Sequence, residues 1–129
     1  MNELNEAGNK IGYWEEYYPN GNLLYKGNYT DGKEIDYWEE YYSNGDIWSK
    51  GNYSDGGKRV GHWEMYYNNG NLMSKGNYSE YGNRFGYWEM YHNNGNLWSK
   101  GNYSDDKEIG YWECCYFNGE LNYKVYYIS

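Results

Sequence analysis

The sequence predicts an all-β fold of five hairpins, and three observations carry that prediction. Trp14, Trp38, Trp63, Trp88 and Trp112 recur at intervals of 24, 25, 25 and 24 residues, and a fixed period changes the meaning of every motif within it. Each of these tryptophans opens an aromatic-rich run, an Asn-Gly pair and a second such run, the strongest short-range hairpin signal. Helices are disfavoured by composition: the chain has one Ala, one Pro, no Gln and 18 Gly, and Gly costs about 1 kcal/mol relative to Ala in a helix.

Composition alone points elsewhere. Leu, Ile, Val and Phe together supply only 15 of 129 residues, and the net charge is −8, a combination typical of disordered chains. The rings argue against disorder. Seven Trp, 21 Tyr and two Phe make 23% of the chain, and a buried ring removes roughly 150–250 Å² from water. A core can therefore be built from aromatics.

Residues 1–11 read as a lead-in or cap, and 12–129 as the repeat domain. The five units open GYWEEYYPNGNLLYKGNYT, DYWEEYYSNGDIWSKGNYS, GHWEMYYNNGNLMSKGNYS, GYWEMYHNNGNLWSKGNYS and GYWECCYFNGELNYKVYYI. Asn-Gly suits a type I′ turn, whose two central residues need positive φ. With Asn20-Gly21 at the centre of the first turn, Glu15 falls opposite Lys26, and likewise Glu39 opposite Lys50, Glu64 opposite Lys75, Glu89 opposite Lys100 and Glu113 opposite Lys124. The same register sets Trp14, Trp38, Trp63 and Trp88 across from Gly27, Gly51, Gly76 and Gly101, where an indole covers a strand glycine. Tyr18, Tyr42, Tyr67 and Tyr116 then face Leu23, Ile47, Leu72 and Leu121. Segments between units, such as residues 31–35 and 105–109, hold the turn residues and absorb the one-residue variation in period.

Alternation along the strands sorts two faces. The core side carries Trp14, Tyr18, Leu23, Tyr25, Gly27, Tyr29 and their equivalents. The other carries Glu15, Tyr17, Leu24, Lys26 and Asn28, with Tyr41 expected opposite Trp48, Tyr66 opposite Met73 and Tyr91 opposite Trp98.

The spacing G-x-W-x-x-Y-x-x-N-G-x-L, carried by Gly12, Trp14, Tyr17, Asn20, Gly21, Leu23 and Tyr29 and their equivalents, resembles the variant MORN repeats of bacterial YwqK-type, antitoxin-like proteins. The resemblance runs from about Gly12 to Tyr127. It implies an elongated single-layer antiparallel sheet of stacked hairpins and no enzymatic activity. Asp36 replaces the opening Gly, Cys115 the Tyr, and the last unit ends Val125-Tyr126-Tyr127-Ile128 without the Gly, as a capping unit would.

The residue inventory opposes catalysis. His62 and His92 stand where other units have Tyr, and the neighbouring carboxylates Glu15-Glu16 and Glu39-Glu40 point to opposite faces. Cys114 and Cys115 also point apart, which suits neither a metal site nor a disulfide framework. No catalytic, metal-ligating or cofactor-binding residues are expected. Direct nucleic-acid binding is disfavoured because a backbone-tracking groove needs positive potential, and the same charge disfavours anionic membranes. Four Asn-x-Ser/Thr triplets, at Asn28, Asn52, Asn77 and Asn102, read as copies of one strand segment. The start of the chain has no signal-peptide pattern and no apolar run long enough to span a bilayer. The expectation is a cytoplasmic protein, in the host cytoplasm if it is phage-encoded.

Protein binding remains. Trp and Tyr concentrate interface energy, so Tyr17, Tyr41, Trp48, Tyr66, Met73, Tyr91 and Trp98 are the expected anchors, with Glu39, Glu64 and Glu89 as an acidic rim. The partner this suggests is a basic toxin, nuclease or other nucleic-acid-handling protein, bound by an antitoxin or a defence inhibitor. Self-assembly into a homo-oligomer or fibre, and carbohydrate or small-ligand binding on the rings, are the alternatives.

Overall fold

A computed structural model describes residues 1–128. The strands are β1 (Glu3–Leu4), β2 (Lys10–Tyr17), β3 (Leu23–Thr30), β4 (Lys33–Tyr41), β5 (Ile47–Tyr53), β6 (Arg59–Tyr66), β7 (Leu72–Tyr78), β8 (Arg84–Tyr91), β9 (Leu97–Ser104), β10 (Lys107–Cys115) and β11 (Leu121–Tyr127). They form one antiparallel sheet in sequence order, so the five hairpins are there and β1 is an unforeseen eleventh strand. At about 4.8 Å between strands the sheet runs about 48 Å along its stacking direction.

The hairpin turns differ from the expected type I′. Gly21 donates its N–H to the Tyr18 carbonyl at 2.9 Å and Tyr18 donates to the Asn22 carbonyl at 2.8 Å. Positive φ falls on Gly21 (91°) and not on Asn20. This is a three-residue loop closed by a glycine bulge. Its asparagine does other work: Asn20 Nδ2 donates to the Ser43 carbonyl of the next turn at 2.8 Å. Asn44, Asn69 and Asn94 repeat this bond to Asn68, Asn93 and Phe117, lacing successive turns together. The two-residue turn with positive φ at both positions lies between units, at Asp31-Gly32 and Asp105-Asp106. Where the period is 25, a three-residue loop closed by Gly57 or Gly82 replaces it, so the length variation does fall in the inter-unit turns.

The register holds over most of each hairpin. Trp14 pairs with Gly27, Glu15 with Lys26 and Glu16 with Tyr25, but a bulge follows and Tyr17 pairs with Leu23. Tyr18 is left to the turn. By the same slip Tyr41 pairs with Ile47 and not Trp48, Tyr66 with Leu72 and not Met73, and Tyr91 with Leu97 and not Trp98; in the last hairpin Cys115, not Tyr116, pairs with Leu121. The cause is the odd-numbered loop, which adds a residue to one strand.

A second irregularity joins the units. Lys26 pairs with Glu39 but Asn28 with Ile35, so three residues of β4 oppose Gly27 alone. Asp36 (φ 62°) stands in that bulge, where other units place Gly12, Gly61, Gly86 and Gly110. A Cβ at Gly61 would meet nothing within 4 Å, so only the backbone opposes substitution. Gly61→Ala is expected to lower stability by about 1 kcal/mol in urea unfolding, from its φ of 70° alone.

The core is one side chain thick. Trp38, Trp63, Trp88 and Trp112 are between 1% and 4% exposed, and each lies on a strand glycine. That glycine is not the hairpin partner expected from the sequence. Trp38 covers Gly27, Trp63 covers Gly51, Trp88 covers Gly76 and Trp112 covers Gly101, each in the preceding unit. The indole N–H of each donates to the next carbonyl along, that of Asn28, Asn52, Asn77 or Asn102. Tyrosines link the tryptophans edge-on: Trp14, Tyr29, Trp38, Tyr53, Trp63, Tyr78, Trp88, Tyr103 and Trp112 form one chain of T-shaped contacts at 5.0–6.4 Å. Lys10 lies over Trp14, Arg59 over Trp63 and Arg84 over Tyr103.

Candidate functional site

The opposite face is built from one motif repeated along the sheet. Residues two apart on a strand share a face, so Tyr37, Glu39 and Tyr41 stand together. Both hydroxyls donate to the Glu39 carboxylate, at 2.9 and 2.6 Å. Tyr13, Glu15 and Tyr17 repeat this arrangement, as do Tyr87, Glu89 and Tyr91. In the third unit His62 replaces one ring, its Nε2 3.0 Å from Glu64, while Tyr66 donates at 2.5 Å. His92 similarly takes the place of a tyrosine: its Nε2 lies 3.1 Å from the Cys115 carbonyl, where Tyr18, Tyr42 and Tyr67 donate to Tyr41, Tyr66 and Tyr91 carbonyls. Both histidines are ring-for-ring substitutions.

Cross-strand pairing carries the glutamates into a single row. Glu15, Lys26, Glu39, Lys50, Glu64, Lys75, Glu89, Lys100, Glu113 and Lys124 are successive register partners. Four of the bonds close between units, Lys26 to Glu39 at 3.1 Å, Lys50 to Glu64 at 3.4 Å, Lys75 to Glu89 at 3.3 Å and Lys100 to Glu113 at 3.6 Å; within a hairpin, among the described residues, only Lys124 reaches its glutamate, Glu113, at 3.8 Å. Five Glu and five Lys leave this row neutral, so the net charge of −8 resides outside it. The acidic rim expected at Glu39, Glu64 and Glu89 is thus an ion-paired ribbon, because each carboxylate already holds a lysine and two ring donors.

Burial and these bonds together set the proton affinities. Glu64 is lowered to about 2, chiefly by the Tyr66 hydroxyl and then by His62. Tyr37, Tyr66 and Tyr87 are pushed up to about 12, first by burial and then by the hydrogen bond to their glutamate. Glu40, on the tryptophan side, moves upward because burial disfavours its charge. The signs differ. Glu64 favours the fold above its unfolded value near 4.5 and loses that contribution as pH falls toward 2, whereas Glu40 acts in the opposite direction. The tyrosines favour the fold below about 10 and lose this as pH rises toward 12. Urea midpoints are therefore expected to fall between pH 10 and 12, and Tyr66→Phe with Tyr87→Phe should flatten that fall. An unchanged alkaline slope in this double variant would exclude the tyrosine account.

The expected anchors divide. Tyr17, Tyr41, Tyr66 and Tyr91 form one row of rings beside the ribbon. Trp48 and Trp98 lie instead at the turn end, Trp48 beside Tyr42 at 6.3 Å and Trp98 beside His92 at 5.6 Å. There Trp98, His92, Tyr67, Asn93 and Phe117 line a hollow of about 310 Å³. Met73 is half-buried in β7. A second row, Tyr13, Tyr37, His62, Tyr87 and Tyr111, went unidentified in the sequence although the period of two would have placed it. Its tyrosines are 38–68% exposed.

Two pairs of neighbours in this second row, two repeat units apart, flank grooves of one kind. Tyr13 and Tyr37 flank one of about 420 Å³, lined also by Lys26, Gly27, Asn28, Asp36 and Glu39. His62 and Tyr87 flank its counterpart of about 270 Å³, lined by Gly76, Asn77, Lys75 and Glu89. The MORN repeat variant family matches residues 10–31, 37–55, 59–80 and 86–105, in step with the structural repeat. The chain belongs to this family. Repeats of the MORN class are in general scaffolds for protein and membrane interaction. The fifth hairpin lies outside the matched MORN segments, and it is the one in which Val125 takes the place of the covered glycine. No curated protein matches the chain.

Proposed function

We propose that this MORN-repeat chain is a non-enzymatic scaffold that holds a partner protein against its ring-and-ribbon face. The observation that supports this is the face itself. Rows of half-exposed tyrosines are fixed by hydrogen bonds to glutamates that are in turn fixed by lysines, and rigid aromatic groups bind with little ordering cost. No cofactor or metal enters this reading, and its setting is the cytoplasm. The finer proposal is an inhibitor of the YwqK-type, antitoxin-like kind. The chain's excess carboxylates, which lie outside the ribbon, would steer it toward a basic nucleic-acid-handling enzyme.

Capture from a lysate of the producing cell tests the scaffold. Tyr41→Ala with Tyr91→Ala should remove the captured protein while circular dichroism is retained, and Trp48→Ala with Trp98→Ala tests the turn end separately. Capture that survives both pairs would overturn the assignment of the face. Loss of binding at high salt would support the steering by charge.

Self-association is favoured by a different feature. Among the described residues the outer edge of β11 has no partner strand, and Tyr123 and Tyr126 are 50% and 61% exposed there. Val125 leaves no bare glycine on which another unit's tryptophan could lie, so edge pairing of two β11 strands would give a closed dimer and not a fibre. Sedimentation of the purified chain distinguishes a monomer from that dimer.

A further inference from the structure

We infer that the grooves of the second tyrosine row hold a proline-rich segment in the polyproline II conformation, lying across the strands with one turn per repeat unit. This rests on the scaffold reading above and names the chemistry of what the scaffold grips.

Periodicity decides among extended ligands. One unit is two strands, so equivalent side chains recur about every 9.6 Å. Polyproline II advances about 9.3 Å per three-residue turn, so four turns drift from four units by only about 1 Å. A β-strand laid the same way advances about 10 Å in three residues but turns its third side chain to the opposite face. Seven residues of α-helix span about 10.5 Å and drift about three times as fast as polyproline II. Only the three-fold helix presents the same residue to each groove.

The chemistry agrees. Tyr37 and Tyr87 have their hydroxyls engaged by Glu39 and Glu89, which leaves ring surface as what they offer a ligand. Aromatic-lined grooves are the usual receptors for proline. Proline has no N–H and presents only carbonyl acceptors, which require donors on the receptor. Asn28 and Asn77, in the two grooves, supply them. Among the described residues their side-chain amides make no hydrogen bond, whereas the turn asparagines Asn20, Asn44, Asn69 and Asn94 are all engaged. The adjoining ribbon is neutral, and among the residues lining the two grooves Asp36 is the one charged group outside it.

Titration calorimetry with a capped 12-residue oligoproline tests the inference, against a Gly-Ser peptide of equal length and a β-linked glucose hexamer. The oligoproline should bind, with affinity rising from six to 12 residues as the chain becomes long enough to span both grooves. Tyr37→Ala with Tyr87→Ala should weaken it at least about tenfold, as should Asn28→Ala with Asn77→Ala, while Tyr37→Phe with Tyr87→Phe keeps most of the affinity. Near-ultraviolet circular dichroism checks that each variant is folded. Failure of oligoproline to bind the folded wild type, binding indifferent to these residues, or preference of the same site for the glucose oligomer would each overturn the inference. Partner capture that depends on Tyr41 and Tyr91 while oligoproline fails would leave the scaffold standing and remove this ligand alone.

Discussion

Gly51→Ala is expected to cost about 3 kcal/mol, far more than the same change at Gly61. A methyl group at residue 51 would stand 2.2 Å from the Trp63 ring. The ring cannot yield: it is 1% exposed, its N–H is bonded to the Asn52 carbonyl at 3.0 Å, and Tyr53 and Tyr78 meet it edge-on. Either the indole leaves its site, forfeiting burial of the size lost in Trp→Ala substitutions, or the strands separate. A double-mutant cycle identifies the cause. With Trp63→Ala already in place the clash is gone, and Gly51→Ala should become mildly stabilising, by about 0.5 kcal/mol, because Ala is the better strand residue. Additive effects in urea unfolding would show that the indole is not what excludes the methyl.

Trp63→Ala alone is expected to cost about 3–5 kcal/mol. For a chain of this length that is a large share of the roughly 5–15 kcal/mol by which domains are stable. Position in the array matters as well. Trp63 lies between two tyrosines near the middle of the aromatic chain, whereas Trp14 begins it and meets Tyr29 alone. Repeat proteins couple only neighbour to neighbour. Loss of the central link should therefore divide the melt into two transitions, while Trp14→Ala lowers a single one. Calorimetry that shows one sharp transition for Trp63→Ala would mean that the turn asparagines and the ion-paired ribbon suffice to couple the halves.

Much of the candidate site was legible in the residues. Alternation placed Tyr41, Glu39 and their equivalents on one face, and hairpin pairing put each glutamate beside a lysine. What alternation could not give was the position of Trp48 and Trp98. They lie next to the bulge, where parity is lost, and pack on Tyr42 and His92 at the turn. The second tyrosine row needed no structure, since Tyr37 is two residues before Glu39. Its significance did, because only the packed sheet shows grooves between Tyr13 and Tyr37 and between His62 and Tyr87.

The number of hairpins, the pairing of Trp with Gly and of Glu with Lys across each, and the aromatic nature of the core follow from the sequence alone. All depend on interactions within one 24- or 25-residue unit, which a period and an alternation encode. The tertiary structure decided everything between units: Trp63 lies on Gly51 and not on its hairpin partner Gly76, Lys26 bonds Glu39 and not Glu15, and Asn20 reaches the next turn. The physical reason is that each strand residue has a neighbour on both sides. Hairpin register names one of them, while the bulges between units and the direction in which a long side chain leans select the other.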